Sequence, residues 1–167
     1  VLRRAFHEAN SHPKGPVYVG FSANALEAEA EMNIVPSNKM HDSYRPDTKG
    51  IKEAVSLIMA AKNPMMMVGD RVSEDHANDA AVELAELMGF PVYQSRGAEV
   101  AFPTMHPQFF GNHTLRTPGG REILKDKDLV LAIGMDAMDE LFYWGDVILE
   151  ENTKLIHIDP IPGRAGR

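Results

Sequence analysis

Four positions in this 167-residue chain are of a type and placement that suit an anionic ligand. Gly69-Asp70-Arg71 follows the apolar run Met65-Met66-Met67-Val68 and leads into a helical pattern. Backbone N–H groups at such a β-to-α turn, with the Arg71 guanidinium beside them, are suited to a phosphate. Gly134 closes the run Leu129 to Ile133, and Asp159-Pro160 closes Leu155 to Ile158. A carboxylate at the end of a strand can accept hydrogen bonds from a ribose. Gly69, Arg71, Gly134 and Asp159 are therefore the candidate nucleotide crevice, with FAD or ADP as the ligand class. Each also has a plainer reading. The glycine spacing is not that of a dinucleotide fingerprint, a tight turn uses Gly69 for steric reasons alone, and an Asp before Pro serves as a cap or turn residue.

The other reactive types point less far. Seven histidines invite metal or acid–base chemistry, yet His106 and His113 lie seven apart in a loop, with no HxxxH or His-carboxylate cluster. His106, between Met105 and Pro107, reads as a structural donor to backbone. No Gly-x-Ser-x-Gly elbow supports a serine triad. The absence of cysteine excludes disulfides, thiolate metal sites and Cys nucleophiles, and fits a cytoplasmic location. A net charge of −7 argues against nucleic acid or an anionic membrane surface as main partner. No apolar run approaches the roughly 20 residues of a membrane span.

The elements that must position these residues follow from periodicity. Leu2, Ala5, Phe6 and Ala9 predict a helix, and residues 16–20 a short strand. Phe21 to Pro46 is rich in Ala, Glu, Asn, Ser and Pro with weak periodicity, which predicts a linker. Asp47-Thr48 is a plausible N-cap for a helix with the stripe Ile51, Ala54, Val55, Ile58 and Met59. A strand at 65–68 follows, then a helix capped by Ser73 with Ala77, Ala80, Ala81, Leu84 and Met88 on one face and Gly89 at its end. Residues 90–94 read as a strand, the stretch to Asn112 as a long loop, 119–124 as a helix, and 129–133 and 155–159 as strands. Alternating β and α elements predict an α/β fold with a parallel, doubly wound sheet. The aromatics Phe142, Tyr143 and Trp144 read as core, or as cover for a partner domain or cofactor face.

In order and spacing the motifs resemble one family: the central domain of thiamine-diphosphate-dependent enzymes, in the branch of benzoylformate decarboxylase and the acetolactate synthase large subunit. Five segments carry the resemblance: Asn63-Pro64 to Gly69; Ala85-Glu86-Leu87 to Pro91-Val92; Phe102-Pro103-Thr104-Met105-His106-Pro107 to Gly111; Asp128 to Gly134; and Ile156-His157-Ile158-Asp159-Pro160. His12-Pro13-Lys14-Gly15-Pro16-Val17-Tyr18-Val19 resembles the end of that family's pyrimidine-binding domain.

The resemblance implies a division into residues 1–22 (the end of the pyrimidine-binding domain), 23–46 (linker) and 47–167 (a Rossmann-like central domain, truncated at its C-terminus with one sheet edge unpaired). The implied intact domain has six strands, in a chain cut from a three-domain subunit that forms homodimers or homotetramers. The implied parent enzyme makes or breaks a carbon–carbon bond beside the carbonyl of a 2-oxo acid, as a decarboxylase (lyase) or acetolactate synthase-like transferase. Thiamine diphosphate and magnesium are then bound outside this stretch, by the pyrimidine- and diphosphate-binding domains, so the resemblance places no catalytic residue and no metal ligand here. Two features depart from the family pattern. Gly111-Asn112-His113-Thr114-Leu115-Arg116-Thr117 stands where flavin-binding members carry a Gly-Met-His-Gly-like turn, which disfavours FAD. Gly20-Phe21-Ser22-Ala23-Asn24 replaces the usual Ile-Pro-x-Asp. The alternatives are a regulatory module that binds FAD or ADP without chemistry, and a purely structural domain.

Overall fold

Four consecutive apolar side chains point alternately to both faces of a strand, so Met65-Met66-Met67-Val68 needs cover above and below. The computed structural model, which describes residues 1–11, 14–33, 45–95, 99–113, 117–135 and 149–161, buries all four completely in β1 (Pro64–Val68). β1 lies at the centre of a five-stranded sheet. On one side it pairs with β2 (Val92–Gln94), which pairs with β3 (Phe109–Asn112). On the other it pairs with β4 (Leu129–Ile133), which pairs with β5 (Lys154–Ile158). Every pairing is parallel. The order β3-β2-β1-β4-β5 reverses direction at β1, so the point where α/β sheets open a crevice lies beyond the carboxyl ends of β1 and β4.

Helices cover both faces, as the alternating pattern predicts. α3 (Thr48–Ala60) and α5 (Asn78–Met88) pack Ala54, Leu57, Ile58, Ala81 and Ala85 against Met66, Val68, Val92, Leu131 and Ile156. α6 (Pro118–Leu124) sets Leu124 and Ile123 against Met65, Met67, Val130 and Ala132 on the opposite face. The caps are legible in the residues. Asp47 accepts from Gly50 N at 3.0 Å, Thr117 Oγ1 accepts from Gly120 N at 3.1 Å, and Gly89 ends α5 at φ +69°.

Five local expectations need correction. The inward face of α3 is Ala54, Leu57 and Ile58, continued by its C-cap Ala61, while Ile51, Val55 and Met59 stay exposed. The apolar stripe is wider than the sheet's footprint, and the sheet selects one side of it. Ser73 caps nothing: it lies inside a separate short helix, α4 (Asp70–Glu74), and the chain turns at His76 (φ 56°) before α5 begins after Ala77. The stretch read as loop to Asn112 ends in β3, whose register with β2 is irregular. Residues 16–20 form no strand, and Tyr18 is exposed, since among the described residues no neighbouring strand takes up their backbone groups. The segment read as linker contains a five-residue helix, α2 (Ala23–Glu27).

The chain divides into Val1–Arg45 and Pro46–Arg167. The first unit holds α1 (Leu2–Asn10) and α2, neither with a buried residue. Leu2 and Phe6 of α1 are exposed, and its Arg4–Glu8 pair at 2.9 Å is a surface contact of small worth.

At the amino edge of the sheet, Asp128 binds the chain entering β1. Its carboxylate accepts from Lys62 N at 2.5 Å and Asn63 N at 2.9 Å. The Lys62 amide bond is the main reason its carboxyl sits below the usual aspartate range, with Asn63 contributing the same way. A carboxylate depressed in the folded state adds stability that is complete above the unfolded pKa, about 4, and drains as pH falls through the folded value. Asp128→Asn is therefore expected to lower the melting temperature at pH 7 and to match the wild type progressively below pH 4. A deficit of constant size across that range would show that the ionised form is not what these amides bind.

Candidate functional site

The four crevice residues lie far apart in the chain, and the sheet brings them together. Gly69 ends β1, Gly134 ends β4 and Asp159 ends β5, so all three stand at the carboxyl edge on adjacent strands, while Arg71 reaches across from α4. The contacts among them are close. Gly69 N donates to Ile133 O at 3.0 Å, Arg71 N to Gly134 O at 3.1 Å, and Gly134 N to Ile158 O at 2.9 Å. A side chain at Gly69 would place its Cβ 2.6 Å from Gly134 O and Met135 Cα, and one at Gly134 would meet Val72 N at 2.8 Å. Both glycines are required because two backbone turns interlock, and Gly134 also holds φ +58°.

Arg71 spans the top of these turns. Its Nε and Nη2 donate to Asp159 Oδ2 at 2.8 and 2.6 Å, with side chains 8% and 0% exposed, so the pair is withdrawn from water. The other carboxylate oxygen, Oδ1, accepts from Ile161 N at 2.8 Å. Burial of each charge is compensated by the other, with charge-assisted hydrogen bonds on both carboxylate oxygens.

His157 was not among the sequence candidates. It lies opposite Ala132 in the β4–β5 ladder. Its side chain is 5% exposed, its Nε2 is 3.8 Å from Asp159 Oδ2, and neither buried ring nitrogen makes a hydrogen bond among the described residues. The signal was available: in a strand, residues two apart share a face, so His157 and Asp159 had to point the same way.

The loop that carries the family resemblance is built from internal contacts. Gln94 clamps it, with Nε2 donating to Glu99 O at 2.8 Å and Oε1 accepting from Ala101 N at 3.0 Å. Asp70 accepts from Glu99 N at 3.0 Å, Asn78 donates to Val100 O and Ala101 O, and Gln108 donates to Ala85 O and Phe90 O. His106 braces the turn: Nδ1 accepts from Gln108 N and Nε2 lies 3.2 Å from Glu86 Oε1. The ring thus accepts a backbone hydrogen bond, where the sequence suggested that it donates one. Across β2 and β3, Tyr93 packs on Phe110 and edge-on to His113, and burial raises its phenol above the ordinary value.

Among the described residues, no three of His, Cys, Asp and Glu cluster in a way that holds a metal ion. No described helix is long and apolar enough to cross a membrane. Phe142, Tyr143 and Trp144, and the tail from Gly163 to Arg167, lie outside the described residues, as do His12, Pro13 and the Thr114-Leu115-Arg116 part of the flavin-turn comparison.

With this geometry in place, comparison with known proteins adds four findings. The family model described as "Thiamine pyrophosphate enzyme, central domain" matches residues 51–167. An acetolactate synthase of Mycobacterium bovis is 33% identical over 100% of this chain and 28% of its own length. A benzoylformate decarboxylase of Pseudomonas aeruginosa is 28% identical over 99% of this chain and 32% of its own. Among solved structures, benzoylformate decarboxylase from Polynucleobacter necessarius superposes with a TM-score of 0.84 at 22% identity, over 99% of this chain and 31% of that one, a likeness of fold. The chain spans about three-tenths of the length of these relatives.

Proposed function

Because the chain belongs to the thiamine pyrophosphate enzyme central-domain family, we propose that it is the scaffold domain of a thiamine-diphosphate enzyme acting on 2-oxo acids. The reaction is decarboxylation or acetolactate synthase-like carboligation. The match of residues 51–167, which include every strand of the sheet, carries this reading. Thiamine diphosphate, when bound, supplies the carbanion-stabilising chemistry. In this proposal it and magnesium are held by pyrimidine- and diphosphate-binding domains of the same polypeptide, and no residue of residues 1–167 touches the reacting atoms.

What this chain's residues do is hold shape. Buried methionines and the interlocked turns at Gly69 and Gly134 fix the sheet, and the clamped loop at 99–108 fixes one flank of its carboxyl edge. Residues 1–22 are the end of the preceding domain, 23–46 the linker and 47–167 the central domain. The subunit forms a homodimer or homotetramer in the cytoplasm.

The second reading, a non-catalytic FAD or ADP module at Gly69, Arg71, Gly134 and Asp159, draws support from the convergence of those four residues at one crevice. The hydrogen bonds they make with one another favour the scaffold. The test is release of CO2 or formation of acetolactate from benzoylformate and pyruvate by the full-length protein, with and without added thiamine diphosphate and magnesium. Turnover that requires both additions is expected. No turnover of either 2-oxo acid, with the cofactor present, would remove the enzyme assignment.

A further inference from the structure

FAD and ADP are the ligands that the sequence suggests for the crevice at the carboxyl edge, and the described atoms there do not fit either. An anion at such a site is held by free backbone N–H groups at the β-to-α turn and by a guanidinium aimed at the phosphates. In this chain Gly69 N, Arg71 N and Val72 N already donate, to Ile133 O, Gly134 O and Gly69 O at 3.0, 3.1 and 3.1 Å. The Arg71 guanidinium is committed to Asp159. Asp159, the residue suited to a ribose, accepts on both oxygens, from Arg71 and from Ile161 N. On the side where a Gly69 side chain would project, Gly134 O and Met135 stand 2.6 Å from the Cβ position, so the turn is packed against its neighbour there.

The geometry points to an internal tie in place of a ligand: the Arg71–Asp159 ion pair, seated on the interlocked Gly69 and Gly134 turns, closes this crevice to FAD and ADP. His157 belongs to the same arrangement. Its ring approaches the Asp159 carboxylate at 3.8 Å, so two nitrogen-bearing side chains converge on one buried carboxylate. The ion pair is neutral as a unit, so the guanidinium offers a diphosphate no net positive charge. The inference rests on the scaffold reading, since it states what the crevice does when it holds no cofactor.

The experiment is titration of the full-length protein, saturated with thiamine diphosphate and magnesium, with FAD and ADP separately, by calorimetry and by melting temperature. A ligand that binds the folded state raises the melting temperature in proportion to its saturation. No saturable heat and no rise in melting temperature are expected for either nucleotide up to about a millimolar, a binding free energy of only about −4 kcal/mol. Saturable binding of FAD or ADP at micromolar concentration, or a rise in melting temperature with either, would overturn the closure. The same preparation is assayed on 2-oxo acids, which separates the two failures. An active protein that binds FAD sinks the closure alone, and an inactive one that binds no nucleotide sinks the enzyme reading alone.

Discussion

Arg71→Met should destabilise the chain by about 3–5 kcal/mol, the usual consequence of leaving one partner of a buried ion pair uncompensated. The Asp159 side chain is 0% exposed and its Oδ2 takes both hydrogen bonds from Arg71, so no water replaces them. Met retains much of the apolar stem that packs over the turns while removing the charge. Asp159→Asn keeps an oxygen for Ile161 N and removes only the negative charge, so its cost should be smaller. The double variant carries neither charge. It should therefore be more stable than the sum of the single losses implies, by about 1–3 kcal/mol of coupling. Urea denaturation of the four proteins in one buffer measures this directly. Additivity within about 0.5 kcal/mol would mean that the two residues do not act on each other in solution.

That coupling also marks the limit of what the residues revealed on their own. Arg71 and Asp159 were legible as crevice residues because each follows a recognisable strand, and strand ends in a parallel sheet gather at one edge. Their mutual bond was not legible. They are 88 positions apart, and nothing in either local sequence shows that the guanidinium turns toward a carboxylate of its own chain. The same division holds for the fold. β1 and β4 declare themselves as short apolar runs buried on both faces, and Gly89 and Asp47 mark helix ends by local chemistry. β3 does not, because Phe109-Phe110-Gly111-Asn112 is alternately half-buried and exposed at the sheet edge, and its strand identity comes from β2 beside it. The inward face of α3 failed for a related reason: five apolar residues offered two possible faces, and the sheet decided between them.

The second large effect lies in the loop between β2 and β3. Phe102→Ala should cost about 3–5 kcal/mol, the range for removing a fully buried aromatic from a close-packed core. The Phe102 ring is 0% exposed, stacked on Phe109 at 6.2 Å and met edge-on by His106 at 5.2 Å. Removing it leaves a void where loop, β3 and α5 meet, and it takes the packing partner from the His106 ring that accepts from Gln108 N. Met105, three residues away in the same motif, is 94% exposed, and Met105→Ala should fall within about 0.5 kcal/mol of wild type. Chemical denaturation gives the two free energies, and amide exchange across residues 99–108 shows where the loss falls. The Phe102 variant should lose protection there first, since Gln94, Asn78 and Asp70 hold the loop only while its buried anchor sets its path. A cost below about 1 kcal/mol, too small for loss of a core aromatic, would mean that those polar clamps suffice without the ring. The family-like character of Phe102-Pro103-Thr104-Met105-His106-Pro107 would then have to come from its exposed side, where Met105 stands clear of the domain.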